Sequence, residues 1–143
     1  MNFLSNAFAA IYENKLFGVW DQEFKPIFDK LYNEGGYGNL GLIFLIIPII
    51  GMALFYFLWQ YPYARLWHWL VWLAVLTLIV IVFTTGYANS FLAEFLTNPD
   101  TEEFTEGLVG RYAAINAVLG LLTGFLISLV FKLMSRIQKH LPF

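Results

Sequence analysis

Hydrophobic and polar positions follow one another in long blocks along this chain. Residues 35–64 contain no Asp, Glu, Lys or Arg; nor do residues 66–93 or 112–131. The first block includes "LIFLIIPIIGMALFYFLW" and lacks the polar stripe that a helix on the surface of a water-soluble core carries. A helix of about 20 largely apolar residues crosses a bilayer. The pattern predicts an all-α polytopic membrane protein with three transmembrane helices, over about residues 40–59, 66–86 and 112–133. Short amphipathic helices are expected to precede them. The chain then divides into an N-terminal helical segment, 1–36, and a transmembrane domain, 37–143.

The connections add detail. "QYPYARLW" is short and holds Pro62, so the first two spans form an antiparallel hairpin. Trp59, Tyr61, Tyr63, Trp67 and Trp69 cluster around it. Such rings favour the headgroup boundary, and these five are expected to anchor that end. Pro48, with Gly51 a turn later, interrupts the backbone bonding of the first span and reads as a fixed packing feature. In the second connection, "NPD" breaks the chain. Asp100 and Glu103 fit a capping box for a helix that begins just after Asp100 and runs through the third span to Gln138. Glu102, Glu103 and Glu106 suit its N-terminus.

Near the start, Leu4, Phe8 and Ile11 share one helical face, and Gly18 is expected to end that helix. Pro26 suits the first turn of a second helix, whose apolar side is Ile27, Phe28 and Leu31. Gly35 and Gly36 are expected to stop it, and "GGYGNLG" reads as a flexible turn into the first span. The polar residues here are mixed in sign (Glu13, Lys15, Asp21, Glu23, Lys25, Asp29, Lys30). Both helices are therefore expected to lie along the membrane or against a partner protein.

One stripe in the third span stands out. Asn116, Gly120, Gly124 and Ser128 follow one another at i, i+4 steps, and Ala113 and Ala117 extend the same side. In lipid, helices associate by close packing and hydrogen bonds, which small residues permit. This stripe is the candidate helix-packing interface. Its partner is either a span of the same chain or a second copy, and the Asn116 amide needs a hydrogen-bonding group opposite.

Composition sharpens the picture. The 143 residues are 59% hydrophobic and 13% charged, with a mean hydropathy of +0.66; soluble domains carry about 25% charge. The net charge of -2 gives no reason to expect a nucleic-acid partner. Cysteine is absent, which removes disulfides and thiolate chemistry. The first lysine is Lys15, so no basic segment leads an apolar core, and insertion is expected to rely on the spans themselves.

No ionisable residue lies near the middle of a span, which weighs against ion-coupled transport. Thr77, Thr84, Thr85, Thr123 and Ser128 are expected to bond to their own helix backbones. His68 and His140 are the only histidines and stand too far apart in the pattern to share a metal. No catalytic, cofactor or metal residue is assigned, and no enzyme motif is present. Haem ligation by His68 is the one cofactor idea the sequence permits, and it is not favoured.

The expected role is a small membrane subunit that anchors or scaffolds a larger cell-envelope complex of secretion, motility or respiratory type. Its partners would be other membrane subunits, copies of itself and the lipid bilayer. The alternatives are a homo-oligomeric pore lined by Asn116, Thr123 and Ser128, and a membrane enzyme or transporter whose chemistry a partner supplies. Missing targeting signals fit a bacterial inner membrane. Arg65, Lys132, Arg136 and Lys139 on one side outnumber Lys25, Lys30 and Arg111 close to the spans on the other, which favours N-out, C-in. A reporter fused after Phe143 should therefore be active only in its cytoplasmic form; activity outside the cytoplasm would reverse the orientation.

Overall fold

The computed structural model describes residues 3–13, 21–58 and 66–134. Six helices and no strands occur among them: α1 (Phe3–Tyr12), α2 (Lys25–Asn33), α3 (Gly36–Phe57), α4 (Leu66–Phe91), α5 (Ala93–Leu96) and α6 (Glu102–Met134). Three of these, α3, α4 and α6, are long and apolar enough to cross a membrane. They pack pairwise against one another: α3 and α6 run parallel, with Leu40 beside Asn116 and Pro48 beside Gly124, and α4 runs antiparallel to both. Leu78 and Val82 of α4 and Val118 and Leu126 of α6 are 61, 67, 61 and 59% exposed. Apolar side chains exposed along whole helices suit hydrocarbon.

The spans begin and end where the backbone requires it. Pro26 occupies the first turn of α2, where its missing N–H costs nothing. Gly35 has a φ of 77° and lets α3 begin directly after α2. Gly36 is small for another reason: a Cβ there would fall 2.7 Å from Leu31 Cδ2 and 2.9 Å from Phe91 Cε1. The stretch expected to be a flexible turn is thus the first turns of α3, because Gly36, Gly38 and Gly41 are all buried where neighbours crowd the backbone. Pro48 lies buried inside a continuous α3, across from Gly124 of α6.

Helix α6 starts at Glu102 and not with an Asp100 capping box. Asn98 organises that turn: its Oδ1 accepts the Asp100 N–H, and its carbonyl accepts the N–H groups of Thr101 and Glu102. The expected continuation to Gln138 lies outside the described residues, as does Gly18.

Helix α1 does not lie along the membrane surface. It packs lengthwise on α3 and runs antiparallel to it. Tyr12 stacks on Tyr37 with ring centroids 5.6 Å apart, and four residues earlier Phe8 meets Phe44 edge-on at 5.7 Å. The Phe8 ring fills the space that a Cβ on Gly41 would occupy. The reason is compositional: α1, "FLSNAFAAIY", carries no charge, so hydrocarbon depth costs it little, while its length is only about half a span.

At the same end, α2, α5 and the start of α6 form a cap. Phe24 stacks on Phe104 with centroids 3.9 Å apart, and Phe28 meets Phe104 edge-on at 6.2 Å. Lys30 pairs with Glu94 at 2.7 Å and stands over the rings of Phe91 and Phe95. The ion pair is exposed enough to contribute little; the stacked rings hold the cap.

Glycines set the helix spacing. A Cβ on Gly51 would overlap Leu76 of α4, and one on Gly124 would fall 2.8 Å from Leu73 Cδ1. Gly86 faces open space. Gly124→Leu should therefore lower stability in detergent by about 1–3 kcal/mol, read as tryptophan fluorescence against added denaturing detergent. Gly86→Leu is the control and should leave the midpoint unchanged.

Candidate functional site

The polar groups of the bundle converge on Asn116. This residue is fully buried, and its amide is bonded on both sides. The Tyr12 hydroxyl of α1 donates to Asn116 Oδ1. Asn116 Nδ2 donates to the Leu40 carbonyl of α3 at 3.0 Å and to Thr84 Oγ1 of α4 at 2.9 Å. One side chain on α6 thus ties all three other helices that surround it. An unpaired amide at this depth would cost several kcal/mol, so the knot fixes the register of four helices at once.

Aromatic hydroxyls continue the knot toward the cap. Tyr12, Tyr37 and Tyr112 are all fully buried. Tyr12 meets Tyr112 edge-on at 5.4 Å, and the Tyr112 hydroxyl donates to Tyr37 at 3.5 Å. Glu13, half-buried just beyond α1, is the charged group that acts on the Tyr37 hydroxyl. The Asn116 branch ends on a backbone carbonyl and a threonine that lead no further, so it does not form a path through the bundle.

The small-residue stripe faces inward. Gly120 lies against Val80 of α4, where a Cβ would fall 3.2 Å from Val80 Cγ2, and Gly124 lies against Leu73, Met52 and Pro48. Ala113 is buried and Ala117 half-buried. Ser128 is buried, donates to the Phe125 carbonyl at 2.6 Å and contacts Tyr56. Of the two partners the stripe permits, the spans of the same chain occupy it here.

The aromatic cluster divides. Trp67 is 71% exposed, whereas Trp69 is 4% exposed and packs with Met52, Phe55 and Leu73. Two residues along a helix turn through about 200°, so these rings cannot both face outward. Trp69 is a packing residue and not a free headgroup ring. Trp59, Tyr61 and Tyr63 lie outside the described residues. Trp72, not singled out by the sequence, donates from Nε1 to the Gly51 carbonyl at 2.9 Å.

Thr84 also departs from expectation: it serves Asn116 and not its own helix. Thr77 does bond to the Leu73 carbonyl of its own helix. Tyr12 was the residue that sequence reasoning missed. Its signal was a hydroxyl on the buried side of an uncharged helix, in line with Phe8 and Ser5.

Comparison with protein families, with curated proteins and with solved structures gives no match. The class is defined by the fold alone: an α-helical bundle with three helices fit to cross a membrane, a half-length fourth helix packed among them, and a folded cap at one end.

The knot makes a quantitative expectation. Tyr12→Phe and Asn116→Leu should each destabilise the bundle, and together by less than their sum. A double-mutant cycle in detergent should give a coupling of roughly 0.5–2 kcal/mol; additive losses would mean the two side chains do not interact.

Proposed function

We propose that this chain is a small integral membrane subunit that anchors or scaffolds a larger cell-envelope complex, in a bacterial inner membrane with its cap outward. The observation that carries this reading is the distribution of charge over the fold. All ten Asp and Glu residues precede α3 or lie between the membrane portions of α4 and α6. Every one therefore belongs to the cap end. Asp21, Glu23, Asp29, Glu34, Asp100, Glu102, Glu103 and Glu106 are exposed there. The opposite end carries Lys132 and, by sequence, Arg65, Arg136 and Lys139. Cytoplasmic loops favour Lys and Arg, which supports the outward cap.

A cap clamped by stacked phenylalanines presents these carboxylates on a preformed surface. Its complement is a partner domain with a basic face, since opposite potentials steer association. The pore alternative draws less support, because Asn116 and Ser128 are turned into the bundle and hydrogen-bonded within it.

The test is charge reversal in the native host. Replacing Glu102, Glu103 and Glu106 together by Lys should release the chain from its complex on native gels after mild solubilisation. The denaturation midpoint of the purified chain should stay unchanged. A retained complex would overturn the cap as the docking face, and cation flux through liposomes holding the pure chain would favour the pore.

A further inference from the structure

One seam of the bundle repeats, from the cap downward, the order of groups in a phospholipid. Glu94 is the first charged residue after the run 66–93, so its pair with Lys30 marks the level where α4 leaves the hydrocarbon. Next comes a polar step. Asn39 Nδ2 of α3 donates to the Tyr87 hydroxyl of α4 at 2.9 Å, which leaves that hydroxyl a proton to give. Beyond it, Ile43, Val82, Phe83, Gly86 and Tyr87 line an open apolar groove of about 430 Å³ between the two helices. Contacts tie the levels together: Tyr87 stacks on Phe91 with centroids 5.6 Å apart, and the Lys30 ammonium stands 5.5 Å from the Phe91 ring centroid.

Depth agrees with this order. Gly86 lies eight residues before Glu94, roughly 12 Å deeper, and half the hydrocarbon is about 15 Å. The groove therefore stands beside the acyl chains of a single leaflet. A Cβ on Gly86 would meet nothing within 4 Å, so the described residues leave this hollow to the lipid. An unfilled hollow would forfeit the dispersion contacts of its lining.

We propose that this seam seats one phospholipid with a primary amine in its headgroup, of the phosphatidylethanolamine type. An acyl chain lies in the groove, an ester carbonyl accepts from Tyr87, the phosphate accepts from Lys30 and the amine donates to Glu94. Charge selects that headgroup. An ammonium has three N–H donors; Glu94 accepts one at 2.7 Å, and the Glu94 side chain stays 61% exposed. A phosphate and a protonated amine complement both members of the pair. A quaternary choline has no N–H to offer Glu94. A headgroup of net negative charge meets a cap end that holds ten carboxylates against Lys15, Lys25, Lys30 and Arg111, a field that disfavours it. The site lies at the cap end whichever way the chain is inserted, and it is independent of whatever protein the acidic surface binds.

Native mass spectrometry of the whole chain reads the preference. The protein is delipidated in mild detergent and offered equal amounts of phosphatidylethanolamine, phosphatidylcholine and phosphatidylglycerol. Phosphatidylethanolamine should be retained roughly 3- to 10-fold over the other two, and Lys30→Gln should lower its retention by a similar factor. Glu94→Gln should abolish the preference over phosphatidylcholine. Gly86→Leu fills the groove and should lower retention of all three lipids. An unchanged denaturation midpoint of each delipidated variant is the folding control, since the exposed ion pair contributes little. Equal retention of the three lipids by the unaltered chain, stronger retention of phosphatidylglycerol, or full retention by Gly86→Leu with that midpoint intact would each overturn the proposal.

Discussion

A helix surrounded by hydrocarbon gains nothing by moving apolar side chains from lipid to protein. What holds this bundle is close packing together with hydrogen bonds between buried groups on different helices. Asn116 makes three of these bonds. Its amide reaches α1, α3 and α4 together, and no rotation or one-turn slip of α6 would keep all three bonds. Apolar packing alone permits many registers of similar energy; this amide selects one.

Close approach depends on a second constraint, the pairing of a glycine with a large neighbour. Gly41 receives Phe8, Gly51 receives Leu76 and Gly124 receives Leu73. These contacts supply the dispersion that replaces hydrophobic collapse. They also explain why glycine, a poor helix former in water, recurs in the spans: the helix is enforced by the lipid, and the missing side chain makes room.

The spans were legible because long charge-free blocks have few other physical meanings. Their ends were less so. Tyr37 and Leu40 read as part of an entry turn because four nearby glycines suggest flexibility, whereas those glycines serve close packing: Leu31 and Phe91 crowd Gly36, Phe8 crowds Gly41, and the segment is buried helix. Helix α1 escaped recognition as a membrane-depth element because ten residues fall short of a span. The stripe from Asn116 to Ser128 announced a packing face without saying whose, since small residues at i, i+4 look alike whether the neighbour is the same chain or another. The divided fate of Trp67 and Trp69 required knowing which side of α4 met α3 and α6. Thr84 carried no signal that separated it from the other span threonines.

The bond between Tyr12 and Asn116 links residues 104 positions apart. Synthesis delivers Tyr12 well before Asn116, so α1 can settle along α3 through Phe8 and Tyr12 while the Tyr12 hydroxyl still lacks its buried acceptor. That bond closes only when α6 has entered the bundle, so the register between α1 and α6 is among the later features of the fold to be locked.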